Sequence, residues 1–129
     1  MDHETIRQEI LALRTGIKNR RIKIITYRKE IDGAEVDHEK IKEEFSIAQN
    51  NLMHMKSADL VDMNEYRSVQ ERYCLTKWQL REVKEYMAIR NSHIIECEKE
   101  MIMIDEKILQ LEAMLHVEVD NVIEFKVLT

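Results

Sequence analysis

Apolar residues recur through the first half of the chain at alternating steps of four and three: Ile6, Ile10, Leu13, Ile17, Ile24, Tyr27, Ile31, Ala34, Ile41, Phe45, Ala48, Leu52 and Met55. Only Arg20 and His38 interrupt the series. The second half repeats the pattern from Tyr66 through Val69, Tyr73, Leu80, Val83, Met87, Ile94, Cys97, Met101, Ile104, Ile108, Leu111 and Leu115, with Thr76 and Arg90 as its breaks. This spacing keeps one face of an α-helix apolar, and a face sustained over about seven heptads predicts a coiled-coil seam rather than a chance amphipathic helix. The first helix is expected over about 4–56 and the second over about 60–116. Between them, in the turn near 56–65, Ser57 or Asp59 suits the N-cap of a new helix, and Asp62 and Glu65 suit its positive end.

Two helices of equal length joined by so short a connection fold back on each other. The predicted fold class is therefore all-α: a long antiparallel two-helix coiled-coil hairpin spanning 1–116, about 75 Å long at the standard helical rise. Charges flanking the seam agree. With Ile6 level with Leu115 and Met55 with Tyr66, Arg7 meets Glu112, Arg14 meets Asp105, Arg21 meets Glu98, Glu35 meets Lys84 and Lys23 meets Glu100, against one clash of Lys42 with Lys77. Sizes also alternate, with Ala48 facing Tyr73, Phe45 facing Thr76 and Ala34 facing Met87. A slide of one heptad keeps much of this charge pattern, so the pairing is fixed more firmly than the register. The seam arginines Arg20 and Arg90 can snorkel to carboxylates such as Glu100 or Glu30.

After residue 116 the pattern changes. The segment HVEVDNVIEFKVLT is rich in β-branched residues and alternates apolar with polar through Ile123, Glu124, Phe125, Lys126 and Val127. Residues 117–129 therefore read as a β-prone tail, with Asp120 and Asn121 as a turn that lacks the preferred glycine. A lone two-stranded hairpin is marginal in water, so the tail is expected to contact another copy or a partner.

A hairpin needs only its seam buried, yet the second helix repeats a further stripe at Ala88, Ile95, Ile102 and Leu109, flanked by Ile89 and Met103. The first helix adds Leu11, Ile22 and Ile25, while Ile47, Leu75 and Trp78 lie outside the seam nearer the turn. A regularly repeating apolar stripe calls for a partner. The expected interface is Ile95, Ile102, Met103, Leu109, Ile22, Ile25, Ile123, Phe125 and Val127, assembling the hairpin into a helical bundle.

Composition narrows the function classes. No proline and two glycines with 35% charged residues suit long helices, and 5% aromatic content is thin for a globular core. A net charge of −5 argues against a surface built throughout for nucleic acid. The acid-free run of Arg14, Lys18, Arg20, Arg21, Lys23, Arg28 and Lys29 is the exception. Cross-hairpin carboxylates account for Arg14, Arg21 and Lys23. Lys18, Arg20 and Lys29, with Arg21, Lys23 and Arg28 beside them, keep nucleic-acid contact as a second reading.

Glu35 and His38 match the Glu-x-x-His spacing of di-iron bundles, but the second helix carries the reverse order, His93 before Glu96, so His38 reads better as a polar register-setting residue. Cys74 and Cys97 are too far apart along one helix to bridge, at roughly 35 Å. No glycine-rich phosphate loop, metal-type cysteine pair or nucleophile elbow is present, and Cys97 with His93 is shielded by the seam. No cofactor, metal or catalytic residue is expected. The N-terminus lacks a signal-peptide core and no apolar run spans a bilayer, so the expectation is a cytoplasmic protein, or one within an intracellularly assembled particle. The function expected is a non-enzymatic spacer, scaffold or adaptor, for example a virion or phage assembly component. Its partners would be itself and another protein; the alternative is a nucleic-acid-associated or nuclease-modulating protein acting through 14–29.

Overall fold

The computed structural model describes residues 2–58 and 62–128, with side chains described up to His116. Two helices, α1 (His3–Lys56) and α2 (Met63–Leu128), account for nearly all of them, and no strand occurs among the described residues. Asp2 caps α1: its carboxylate accepts the Thr5 N–H at 2.7 Å and its carbonyl accepts the Ile6 N–H at 3.1 Å. At the far end the Ser57 hydroxyl donates to the carbonyls of Met53 and His54, each at 3.1 Å.

Ser57 thus closes α1 rather than opening α2, because its hydroxyl is spent on carbonyls of the last turn of α1. The cap of α2 is Asp62, whose carboxylate accepts the Asn64 N–H at 2.9 Å and whose carbonyl accepts the Tyr66 N–H at 2.9 Å. Asp59 lies outside the described residues. The backbone of α2 stays helical to Leu128, where alternation predicted strand. No glycine or proline after Gly33 stops the helix. Each added helical residue gains a backbone hydrogen bond, whereas a short isolated hairpin does not sustain itself. Side chains of 117–129, and with them the expected tail contacts of Ile123, Phe125 and Val127, lie outside the described residues.

Every position of both predicted frames is buried or half-buried, and the fully buried apolar side chains all belong to them. Packing groups the chain into two units, Met1–Thr26 with His93–Thr129 and Tyr27–Ser92. Within each, segments of α1 and α2 run antiparallel.

In the first unit Ile6, Ile10, Ile17, Ile108 and Leu111 form the core, with Leu13, Met101, Ile104 and Leu115 packed on it. Arg20 reaches out of the seam: its Nε donates to Glu100 at 2.6 Å and its Nη1 to the Gly16 carbonyl at 3.1 Å. A Cβ on Gly16 would stand 3.6 Å from Ile104 Cδ1. Both contacts lie within a residue of the alignment that sets Ile6 level with Leu115. Arg14 pairs with Glu112 at 3.0 Å, not with the level Asp105, and Lys107 reaches Glu9 at 3.4 Å. The two pairs are offset from level in opposite directions, each bridged by a long side chain reaching along the groove.

In the second unit Ile31, Ala34, Ala48, Leu52 and Thr76 are buried. Thr76 is satisfied within its own helix, donating to the carbonyls of Arg72 at 2.9 Å and Tyr73 at 3.1 Å. Phe45 stacks on Tyr73 with ring centroids 5.3 Å apart, and the Lys77 ammonium lies 6.0 Å from the centre of the same ring. Arg90 snorkels as Arg20 does. Its Nε is 2.9 Å from Glu30, a charge contact too poorly aligned for a hydrogen bond, and its guanidinium lies over the rings of Tyr86 and Tyr27 at 5.0 and 5.6 Å. Hydrogen bonding to Tyr86, and then the charge of Glu30, raise the Arg90 pKa above its ordinary value, holding the guanidinium charged.

Candidate interaction surface

The seam takes the inward residues of α2 and leaves the next positions facing away from α1. Ile95, Ile102, Met103 and Leu109 are 52%, 59%, 68% and 64% exposed, and Ile89 is exposed in the second unit. On α1, Leu11, Ile22 and Ile25 are exposed in the first unit; Ile47, Leu75 and Trp78 are exposed in the second. Sequence reasoning placed all of these outside the seam. It missed exposed Val36, Met53, Met63 and Met114, which fall singly on outer positions and form no seven-residue series.

A groove of about 620 Å³ runs along the first unit beside this stripe. Ile17 and Ile108 lie at its floor; Arg14, Lys18 and Arg21 line the α1 side, and Asp105, Leu109 and Glu112 the α2 side. One wall is basic and the other acidic, because successive turns of each helix present like charges at the same flanking position. Of the basic run, Arg20 is taken by Glu100, the carboxylate expected both for Lys23 across the hairpin and for Arg20 snorkelling from the seam. The seam arginine starts closer to Glu100 and wins it. Lys18, Arg21, Lys23, Arg28 and Lys29 are exposed along α1.

Other candidate chemistry does not converge. Glu35 is exposed and His38 half-buried, with its Nε2 lacking a hydrogen-bond partner. Among the described residues no three His, Cys, Asp or Glu side chains group to hold a metal ion. Cys97 is buried and Cys74 exposed, both as free thiols. A second groove, of about 660 Å³ in the second unit, is lined by Glu30, Asp37, Glu82 and Tyr86 around Gly33, Ala34 and Val83. Glu30 there is already engaged by Arg90.

No helix among the described residues is long and apolar enough to cross a membrane. No protein-family model matches the chain, and no curated protein or solved structure matches it either.

Proposed function

We propose that this chain is a non-enzymatic interaction or assembly protein that works by self-association: a spacer, scaffold or adaptor in the cytoplasm or within a particle assembled inside the cell, such as a virion or phage. The supporting observation is the exposed stripe Ile95, Ile102, Met103 and Leu109. Burying the exposed half of such a side chain is worth about 1 kcal/mol, so the stripe as a whole gives a copy or partner several kcal/mol to gain. Sedimentation of the full chain tests this. A concentration-dependent dimer or larger species, weakened by Ile102→Lys, is expected; a wild type that stays monomeric at every concentration overturns it.

A second reading rests on the exposed Lys18, Arg21, Lys23 and Lys29 along α1: contact with nucleic acid. It predicts salt-sensitive retention of DNA or RNA that Lys18→Glu, Lys23→Glu and Lys29→Glu together abolish. Absence of any shift at low salt removes it.

A further inference from the structure

The groove face of the first unit has the charge pattern of a surface that matches itself. Arg14, Lys18 and Arg21 stand on its α1 wall, and Asp105 and Glu112 on its α2 wall. At the outer edge of the walls, one helical position further out than Arg14, Arg21, Asp105 and Glu112, lie exposed apolar residues: Leu11 and Ile25 on α1, Ile95 and Leu109 on α2.

Two face-to-face arrangements of identical copies obey two-fold symmetry with the helices aligned. An axis across the helices lays α1 on α1, setting basic wall on basic wall and acidic on acidic. An axis along the helices lays α1 of each copy on α2 of the other, so each basic wall meets an acidic one. Like-charge juxtaposition costs several kcal/mol across an interface, which separates the two arrangements.

We propose, building on the self-association reading, that this face receives the same face of a second copy about a two-fold axis running along the helices. Such an axis allows no sliding, so residues level with each other within one copy meet between copies. The contacts of Gly16 with Ile104 and of Arg20 with Glu100 fix those levels. Leu11 then falls beside Leu109 of the second copy, Ile25 beside its Ile95, and Lys18 between its Ile102 and Asp105. The apolar pairs close both edges; inside them Arg14 and Glu112 already pair within a copy, and the basic and acidic walls gain opposite partners between copies, as charges removed from water require.

Disulfide trapping in the full chain tests the arrangement. Cys74→Ser removes the exposed thiol, while Cys97 stays buried in the seam. Leu11→Cys and Leu109→Cys are made separately, tagged differently, mixed and mildly oxidised; both positions are exposed, so the helices tolerate the change. Only Cα atoms within about 7 Å can be bridged, so the mixed disulfide dimer is expected in about tenfold excess over either self-linked dimer. Self-linking of Leu109→Cys alone, or a statistical mixture of the three dimers, overturns the arrangement and leaves self-association standing. Sedimentation of the wild-type chain as a monomer at every concentration overturns both.

Discussion

Ile108 and Ile102 stand on the same helix and are chemically identical, yet they are 7% and 59% exposed, so truncating each measures what burial is worth in this protein. Ile→Ala removes three carbons, worth about 2.4 kcal/mol at about 0.8 per buried methylene. At Ile108 nearly all of that is lost. The space left against Ile6, Ile10, Ile17 and Leu111 adds a cavity cost, bringing the loss to about 3 kcal/mol. Alanine returns about 0.4 kcal/mol of helix propensity. At Ile102 only about two-fifths of the side chain is covered, about 1 kcal/mol is at stake, no cavity forms, and the propensity gain leaves a net loss of about 0.5 kcal/mol. Urea unfolding followed by helical circular dichroism, at protein concentrations low enough to keep the wild type monomeric, should show this fivefold contrast. Raising the concentration should then stabilise the wild type and Ile108→Ala but not Ile102→Ala, whose interface is damaged. Equal losses for the two variants at low concentration would refute the assignment of stability to the seam.

Gly33→Ala should stabilise by about 0.5–1 kcal/mol, since a Cβ there meets nothing within 4 Å; Gly16→Ala should gain less, because its Cβ would stand 3.3 Å from Arg20 Nη1, and thermal melts that rank the two in reverse order contradict this. The hydrogen bond from the Thr5 backbone lowers the Asp2 pKa below its ordinary value of 3.8. The folded value lies below the unfolded one, so the cap's contribution is full above the unfolded pKa and is lost as pH falls through the folded value. Carboxyl NMR titration, with hydrogen exchange at Thr5, should show first-turn protection vanishing only at the acid end of the carboxylate range. His38→Leu should raise stability by about 1 kcal/mol in urea unfolding by removing the unpartnered Nε2 from the seam; a loss of stability would mean that the imidazole has a role the present contacts do not show.

The seam was legible residue by residue because its period is local: each heptad repeats the same burial decision, and even the breaks at Arg20 and Arg90 carried their remedy in nearby Glu100 and Glu30. The exposed stripe was legible for the same reason. Pairing partners were less so. Arg14 bonds Glu112, one heptad beyond the expected Asp105, because long side chains reach along the helix as well as across it, and Glu100, offered to both Lys23 and Arg20, is held by Arg20. The cap of α2 turned on which hydroxyl or carboxylate was left over once α1 had closed, and Ser57 was already used. The end of α2 was misjudged because alternating β-branched residues signal strand only where a turn and a neighbour exist to accept it.

Arg20 with Glu100 and Arg90 with Glu30 are one arrangement written twice, once from each helix. Their value lies in the misfolded states they tax. Slide α2 by a heptad in one direction and Arg90 confronts Lys23 while Arg20 confronts His93; slide it the other way and Arg20 confronts Lys107, with only Arg90 finding a carboxylate, in Asp37. A seam of aliphatic residues alone would treat these frames as near equals. The two arginines find carboxylates together only in the correct frame, and each shifted frame leaves at least one of them without a carboxylate, which biases a chain with a uniform hydrophobic repeat toward a single frame.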